Sequence, residues 1–215
     1  MSLRDYHESL WEGVPPGLEP SDASLRVAFL LGRLAAEGER LGRRARVLDL
    51  GCGEGWFADV LVRAGAEVVA CDVAEEPLRR ARAAHPDLDL RLLEADGTLP
   101  FEDASFDIVW AGETIEHVLD TARWLSEVRR VLRSGGLILL STPDHGLFAR
   151  LRLALSGRAF ARHFDPRSDH LRFYAPATLV GLLGDFGFAE VAVARRSGFP
   201  GARKTLLASA RRKRF

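Results

Sequence analysis

With 215 residues, 47% of them apolar and 28% charged, the chain has the composition of one globular domain long enough to bury a substantial core. Thirty basic residues, all but Lys204 and Lys213 arginines, balance thirty acidic ones, so no whole-molecule field draws the protein to nucleic acid or to an anionic surface. No uninterrupted apolar run reaches bilayer-spanning length, and the first residues carry Asp5, His7, Glu8 and Glu12 where a leader would be apolar. Two cysteines, Cys52 and Cys71, do not make a disulfide framework; reduced thiols and a cytoplasmic location are the expectation.

From the N-terminus, a segment broken by Gly13, Pro15, Pro16, Gly17 and Pro20 reads as irregular, with one helical turn around Tyr6 to Trp11. Ser21 or Asp22 can cap a helix whose apolar face is Leu25, Phe29, Leu30 and Leu34, ending near Gly42. Residues 46–51 then form a nearly continuous apolar run closed by glycine, the pattern of a strand buried on both faces. The alternation repeats: helix 56–63, strand 67–72, helix 75–84, strand 88–95, strand 106–111, helix 119–132 stopped by Gly135 and Gly136, and strand 137–141. Connections this short admit right-handed crossovers and a parallel sheet. A helix over 176–186 and strands over 189–194 and 204–209, joined through Gly198, Pro200 and Gly201, predict a closing antiparallel hairpin.

In such a sheet ligands bind beyond the carboxyl ends of the strands, where strand order reverses. Gly51-Cys52-Gly53-Glu54-Gly55 lies there, between a strand and a helix. Glycine permits the tight turn and the close approach of a ligand to the main chain. A dinucleotide fingerprint would carry a third glycine where this chain has Trp56, and Glu54 would face a pyrophosphate with like charge. A zwitterionic ligand bearing a cationic sulfur tolerates Glu54 and Asp49 better. Asp72 closes the second strand about twenty residues after the first glycine, where an acid holds ribose hydroxyls; its alternative role is a helix cap. Asp96, in Glu94-Ala95-Asp96-Gly97, adds a further acid that can accept from an adenine amino group.

These segments together resemble the class I S-adenosylmethionine-dependent methyltransferases. Val47-Leu-Asp-Leu-Gly-Cys-Gly-Glu-Gly55 is similar to the family's first motif, Ala70-Cys-Asp72 to its ribose acid and Ala95-Asp96-Gly97 to its adenine segment. The stretches 99–109 and 128–137 resemble its later segments. The resemblance, which runs from Val47 to Pro143, implies a Rossmann-like doubly wound α/β fold. Its seven-stranded sheet would be mostly parallel with an antiparallel edge strand and helices on both faces. It implies S-adenosylmethionine as methyl donor. Asp49, Gly51, Cys52 and Gly53 would surround the methionine part, Asp72 the ribose, and Val73, Ala95, Asp96 and Gly97 the adenine, with Gly112 closing the fourth strand beside them. A single domain is expected, divided into an N-terminal helical extension (1–43), a cofactor-binding core (44–143), a lid-like insertion (144–174) and a C-terminal helix with a strand pair (175–215).

Gly112-Glu-Thr-Ile-Glu-His117 follows the fourth strand. On a helix, Glu113, Glu116 and His117 would share one face, making them the candidate catalytic group. His117 is the candidate base toward a hydroxyl; packing and solvation are the plain alternative. The same pattern resembles ubiquinone-type O-methyltransferases and small-RNA 2′-O-methyltransferases, and the latter imply a divalent metal completed here by His170 or His163. That metal is admitted but not favoured. The insertion mixes aromatic residues with Arg150, Arg152, Arg158, Arg162, Arg167 and Arg172, and a connection of this length reads as a lid over an aromatic or anionic acceptor. A membrane-surface or lipid-linked acceptor would need more apolar length than this segment shows. The favoured reading is therefore methyl transfer to a small-molecule or glycan hydroxyl. An RNA 2′-O-methyltransferase is disfavoured by zero net charge, and a non-catalytic S-adenosylmethionine-binding module by the intact acids.

Overall fold

The computed structural model describes residues 3–95, 98–199, 202 and 204–214. Two helices, α1 (Leu3–Glu12) and α2 (Ala23–Leu41), precede a sheet built from β1 (Arg46–Leu50), β2 (Glu67–Asp72), β3 (Asp89–Leu92), β4 (Phe106–Gly112), β5 (Leu132–Pro143), β6 (Phe188–Arg196) and β7 (Thr205–Arg212). Between them lie α3 (Trp56–Arg63), α4 (Glu75–Ala84), a 3-10 turn at Ile115–His117, α5 (Thr121–Val131), α6 (Leu147–Leu155), α7 (Gly157–His163) and α8 (Pro176–Asp185). The strand order is β3-β2-β1-β4-β5-β7-β6. Strands β1 to β5 pair in parallel, while β7 runs antiparallel to both β5 and β6. The β6/β7 hairpin thus forms that edge, and β6 is its outermost strand.

Alternation along the strands explains why they read as unbroken apolar runs. Leu48, Leu50, Val109, Ala111, Ile138 and Leu140 face one layer, with α5 and α8 contributing Leu125, Val128, Leu179 and Leu183. Val47, Ile108, Trp110, Leu137 and Leu139 face the other, where α2 and α3 contribute Leu30, Leu34, Phe57 and Leu61. Both faces are covered, as a parallel sheet requires.

Several boundaries depart from expectation. The N-terminal helical turn is a full helix, α1, because its contacts come from elsewhere: the Glu8 carboxylate accepts from the backbone N–H groups of Glu75 and Glu76 and so caps α4 from outside. Asp22 stands at the N-cap of α2 in a left-handed conformation and makes no cap bond. Its carboxylate instead accepts from Ser197 and Thr205 at 2.8 and 2.6 Å, tying α2 to the closing hairpin. Strand β5 begins at Leu132, five residues before the expected start, because a bulge opposite Phe106–Ile108 absorbs Gly135 and Gly136. The edge strand β3 is only four residues long. Pro200 and Gly201, expected in the hairpin turn, lie outside the described residues.

At the opposite end of the sheet from the glycine loop, Asp107 is 2% exposed. It accepts from both terminal nitrogens of Arg43, from Arg133 and from the Arg46 amide, all at 2.7–2.8 Å. Burial alone would raise its pKa, but these donors outweigh burial and hold it below the usual carboxylate range. Its contribution to stability is therefore present at neutral pH and lost only as pH falls through that depressed value. Asp107→Ala should lower the unfolding free energy by about 2–3 kcal/mol, measured by urea denaturation at pH 7, with the deficit shrinking as the pH is lowered toward 3.

Candidate functional site

Strand order reverses between β1 and β4, and the cleft opens there. Its floor is the turn after β1. Gly51 takes φ +81° and lies so near Thr114 that a Cβ would stand 2.6 Å from the Thr114 hydroxyl oxygen. Gly53, at φ +54°, would press a Cβ to 2.9 Å from the Trp11 ring. Only glycine fits either position. The Gly53 N–H donates to Asp72 at 2.9 Å, and the Ala74 N–H to the other carboxylate oxygen at 3.0 Å. Asp72 thereby fixes the glycine turn and the start of the next loop while lining the cleft.

Two lobes share His7, Gly51, Asp72, Val73, Thr114 and His117. The first, about 840 Å³ with its open mouth, is walled by Val73, Leu93, Leu99, Val118, Leu119 and Trp124 and also reaches Ala95. The second lobe is closed by His7, Leu10, Trp11 and Val14, with Asp169 on its rim. Asp96 and Gly97 lie outside the described residues.

The other expected residues separate into distinct places. Asp49 is buried beneath the turn with one carboxylate oxygen unpartnered. Burial, reinforced by Asp72, lifts its pKa to about 8, and burial likewise raises Asp72. Among the described residues no arginine or lysine forms an ion pair with either acid. Cys52 packs with Ala58, Ala70 and Leu78 below the loop and does not line the cleft; both thiols are free, and burial raises their pKa values. The missing Cβ of Gly112 leaves room for the Trp110 indole instead of opening onto the cleft. Glu54 is taken up by Arg80 at 3.0 Å and by the Gly17 N–H. Arg80 also donates to the carbonyls of Trp11 and Val14, latching the N-terminal segment over the turn.

No regular helix begins at residue 113, so Glu113, Glu116 and His117 do not share a helical face. Glu113 sits at φ +53°, and only Ile115–His117 make a 3-10 turn. Glu113 pairs with Arg26 of α2 at 3.0 Å, an arginine 3% exposed. Glu116 is fully buried and accepts from the Thr142 hydroxyl at 3.0 Å while its other oxygen is unpartnered. Burial, then Glu113, pushes its pKa up. His117 reaches the insertion: its Nδ1 lies 3.0 Å from the Asp169 carbonyl oxygen, and its ring meets His170 edge-on at 4.9 Å between centroids. Burial lowers its pKa below 6.5, with Asp169 opposing and His170 assisting. One potential donor atom each from Glu116, His117 and His170 lie within 4.8 Å of one another. His163 stands apart, among His145 and Phe173.

The sequence reading did not anticipate the α1 wall, Thr114 or the His117–Asp169 contact. The α1 wall had a usable signal, since His7, Leu10, Trp11 and Val14 follow helical spacing. The other two depend on loops meeting in space and left no periodicity.

Comparison with known proteins agrees with the geometry. A family model described as a methyltransferase domain matches residues 48–140. A Mycobacterium tuberculosis protein named "Probable S-adenosylmethionine-dependent methyltransferase" is 34% identical over 148 residues, covering 68% of this chain and 50% of that protein. A ubiquinone biosynthesis O-methyltransferase of Xanthomonas oryzae pv. oryzae is 32% identical over 165 residues, covering 74% of this chain and 66% of that protein. The chain thus spans about half the length of the mycobacterial relative. The crystal structure of an S-adenosylmethionine-dependent methyltransferase from Mesorhizobium loti superposes with a TM-score of 0.63 at 26% identity, covering 79% of this chain and 91% of that one. The glycine turn, the acid closing β2 and the matched span lead to one assignment: the chain belongs to the class I S-adenosylmethionine-dependent methyltransferases.

Proposed function

We propose that the protein transfers a methyl group from S-adenosylmethionine to a hydroxyl of a small-molecule or glycan acceptor, with His117 taking the proton. The observation that carries this reading is the state of His117. A carbonyl oxygen only accepts, so the Nδ1 that faces Asp169 carries the ring proton. Nε2 of the neutral imidazole is then an unprotonated acceptor. His117 lines the same cleft as Gly51 and Asp72.

The residues present suit the methyl donor. Asp72 has lone pairs left for a ribose diol, and the slot of Val73, Leu93 and Leu99 suits a planar purine. The orphaned oxygen of Asp49 lies beneath a turn that only glycine can make. Two buried acids with no basic ion-pair partner among the described residues favour a cationic ligand and oppose a pyrophosphate. When bound, S-adenosylmethionine supplies an electrophilic methyl group on a sulfonium. The chain's own contribution is to hold donor and acceptor in line, exclude water, and accept the acceptor's proton at His117.

A second reading draws on the cluster of Glu116, His117 and His170, whose donor atoms are close enough to rearrange around a divalent cation. Such a cation would lower a hydroxyl's pKa directly.

Asp72→Ala should weaken S-adenosylmethionine binding about tenfold or more, the cost of losing charge-assisted hydrogen bonds. Calorimetry showing unchanged affinity would remove Asp72 from the site. His117→Ala should leave that affinity within a few-fold and lower turnover by about 10²–10⁴. In the wild type saturated with S-adenosylmethionine, kcat/KM for the acceptor should be flat at neutral pH and fall only below 6.5, because burial depresses the pKa of the base and protonation removes it. An acid limb above 6.5 would contradict the assignment. Glu113→Ala should behave differently, since it strands the buried charge of Arg26: a drop in thermal midpoint is expected along with any loss of rate. Chelator should leave turnover intact if His117 is the base; turnover abolished by chelator and restored by divalent metal would select the second reading.

A further inference from the structure

Within the insertion, residues 145–164 carry four arginines, Arg150, Arg152, Arg158 and Arg162, and no acid, in a chain whose charges balance overall. The two helices they build, α6 and α7, contain no buried residue. In α6 the apolar stripe points the wrong way for a globular domain. Leu147, Phe148, Leu151 and Leu155 share one side of the helix and are all exposed, Phe148 by 54% and Leu155 by 85%. Arg150 and Arg152 flank that side, while the least exposed positions are Ala149 and Leu153 on the opposite side. Phe199, in the β6/β7 turn and 64% exposed, extends the patch beside Phe148 at 6.1 Å between centroids. On α7, Phe160 and Phe164 stack at 4.7 Å and are also exposed, next to Arg158 and Arg162.

We infer that α6 and α7 form a docking surface for an anionic phospholipid bilayer. Exposed leucine and phenylalanine bordered by arginine is the composition of a helix lying in the headgroup plane, with its apolar side toward the acyl chains and guanidinium groups on the phosphates. A second copy of the chain fits less well, because pairing this face with itself would set arginines against arginines with no acid between residues 144 and 165 to relieve them. The sequence understates the surface because exposure, not apolar length, decides it. The returning part of the insertion lies against the 3-10 turn, where the Leu171 and Arg172 N–H groups donate to the Glu116 carbonyl. The docked face therefore belongs to the same segment that meets His117. The inference stands apart from the reading of the reaction, since vesicle binding is measured without turnover.

The test is sedimentation of the full chain with vesicles of phosphatidylcholine alone and with phosphatidylglycerol added. Binding to the anionic vesicles, none to the neutral ones, and release by high salt are expected. Leu151→Asp with Leu155→Asp should weaken binding roughly tenfold or more, and Arg150→Glu with Arg152→Glu should do the same. Both positions pairs are exposed, so an unchanged thermal midpoint shows that the fold is kept. No sedimentation with anionic vesicles, or binding equal in wild type and both variants, overturns the inference. So does a concentration-dependent dimer that Leu151→Asp with Leu155→Asp abolishes, if vesicles fail to bind.

Discussion

The Asp72 carboxylate is the point through which the rest of the site is arranged. Its two oxygens take the Gly53 and Ala74 amides, joining the turn after β1 to the loop after β2. Without that bridge, a run of glycines in left-handed conformations would keep many alternatives, and the conformational entropy of Gly51, Gly53 and Gly55 would work against a fixed cradle. The fold supplies the anchor at no local strain. Parallel pairing of β1 with β2 brings Leu50 opposite Cys71, and the Gly51 and Cys52 amides both donate to the Cys71 carbonyl. The aspartate that follows is thus held against the turn it must fix.

Burial gives the same carboxyl its electrostatic role. Asp49 and Asp72 lie in a region of low dielectric, where the charged form is disfavoured and both pKa values rise. A ligand that brings positive charge relieves this; one that brings a pyrophosphate worsens it. Across the cleft the logic differs. Burial raises the pKa values of both Glu116 and Glu113, in Glu113 against the pull of Arg26. Beside them the His117 Nδ1 faces the Asp169 backbone carbonyl, which places the proton of the neutral ring on that nitrogen. Asp72 and His117 are set at different strand ends, those of β2 and β4, which allows one to be altered while the other keeps its place.

Much of this was legible in the sequence because it is local. The sheet followed from short apolar runs alternating with helical spacing, and the glycine turn and Asp72 from their places at strand ends. Glu113, Glu116 and His117 were grouped on one helical face, but spacing of three and four places residues together only on a helix, and the backbone at Glu113 turns left-handed instead. A cover for the cleft was sought in the insertion, yet His7, Leu10 and Trp11 of α1 line its second lobe. That contact rests on Glu8 capping a helix 67 residues away, and such pairings leave no trace in a single sequence. Asp22 shows the same limit: its position at the start of α2 was foreseen, while its carboxylate serves Ser197 and Thr205. Asp96 and Gly97, the expected adenine segment, lie outside the described residues.

The cleft at the β1/β4 reversal is shaped for an S-adenosyl nucleoside and not for a dinucleotide. Titration calorimetry of the unmodified protein with S-adenosylhomocysteine, and in parallel with NAD, tests this without knowledge of the acceptor. Saturable one-to-one binding of S-adenosylhomocysteine is expected, with no heat of binding for NAD. Saturable binding of NAD with none of S-adenosylhomocysteine would contradict it.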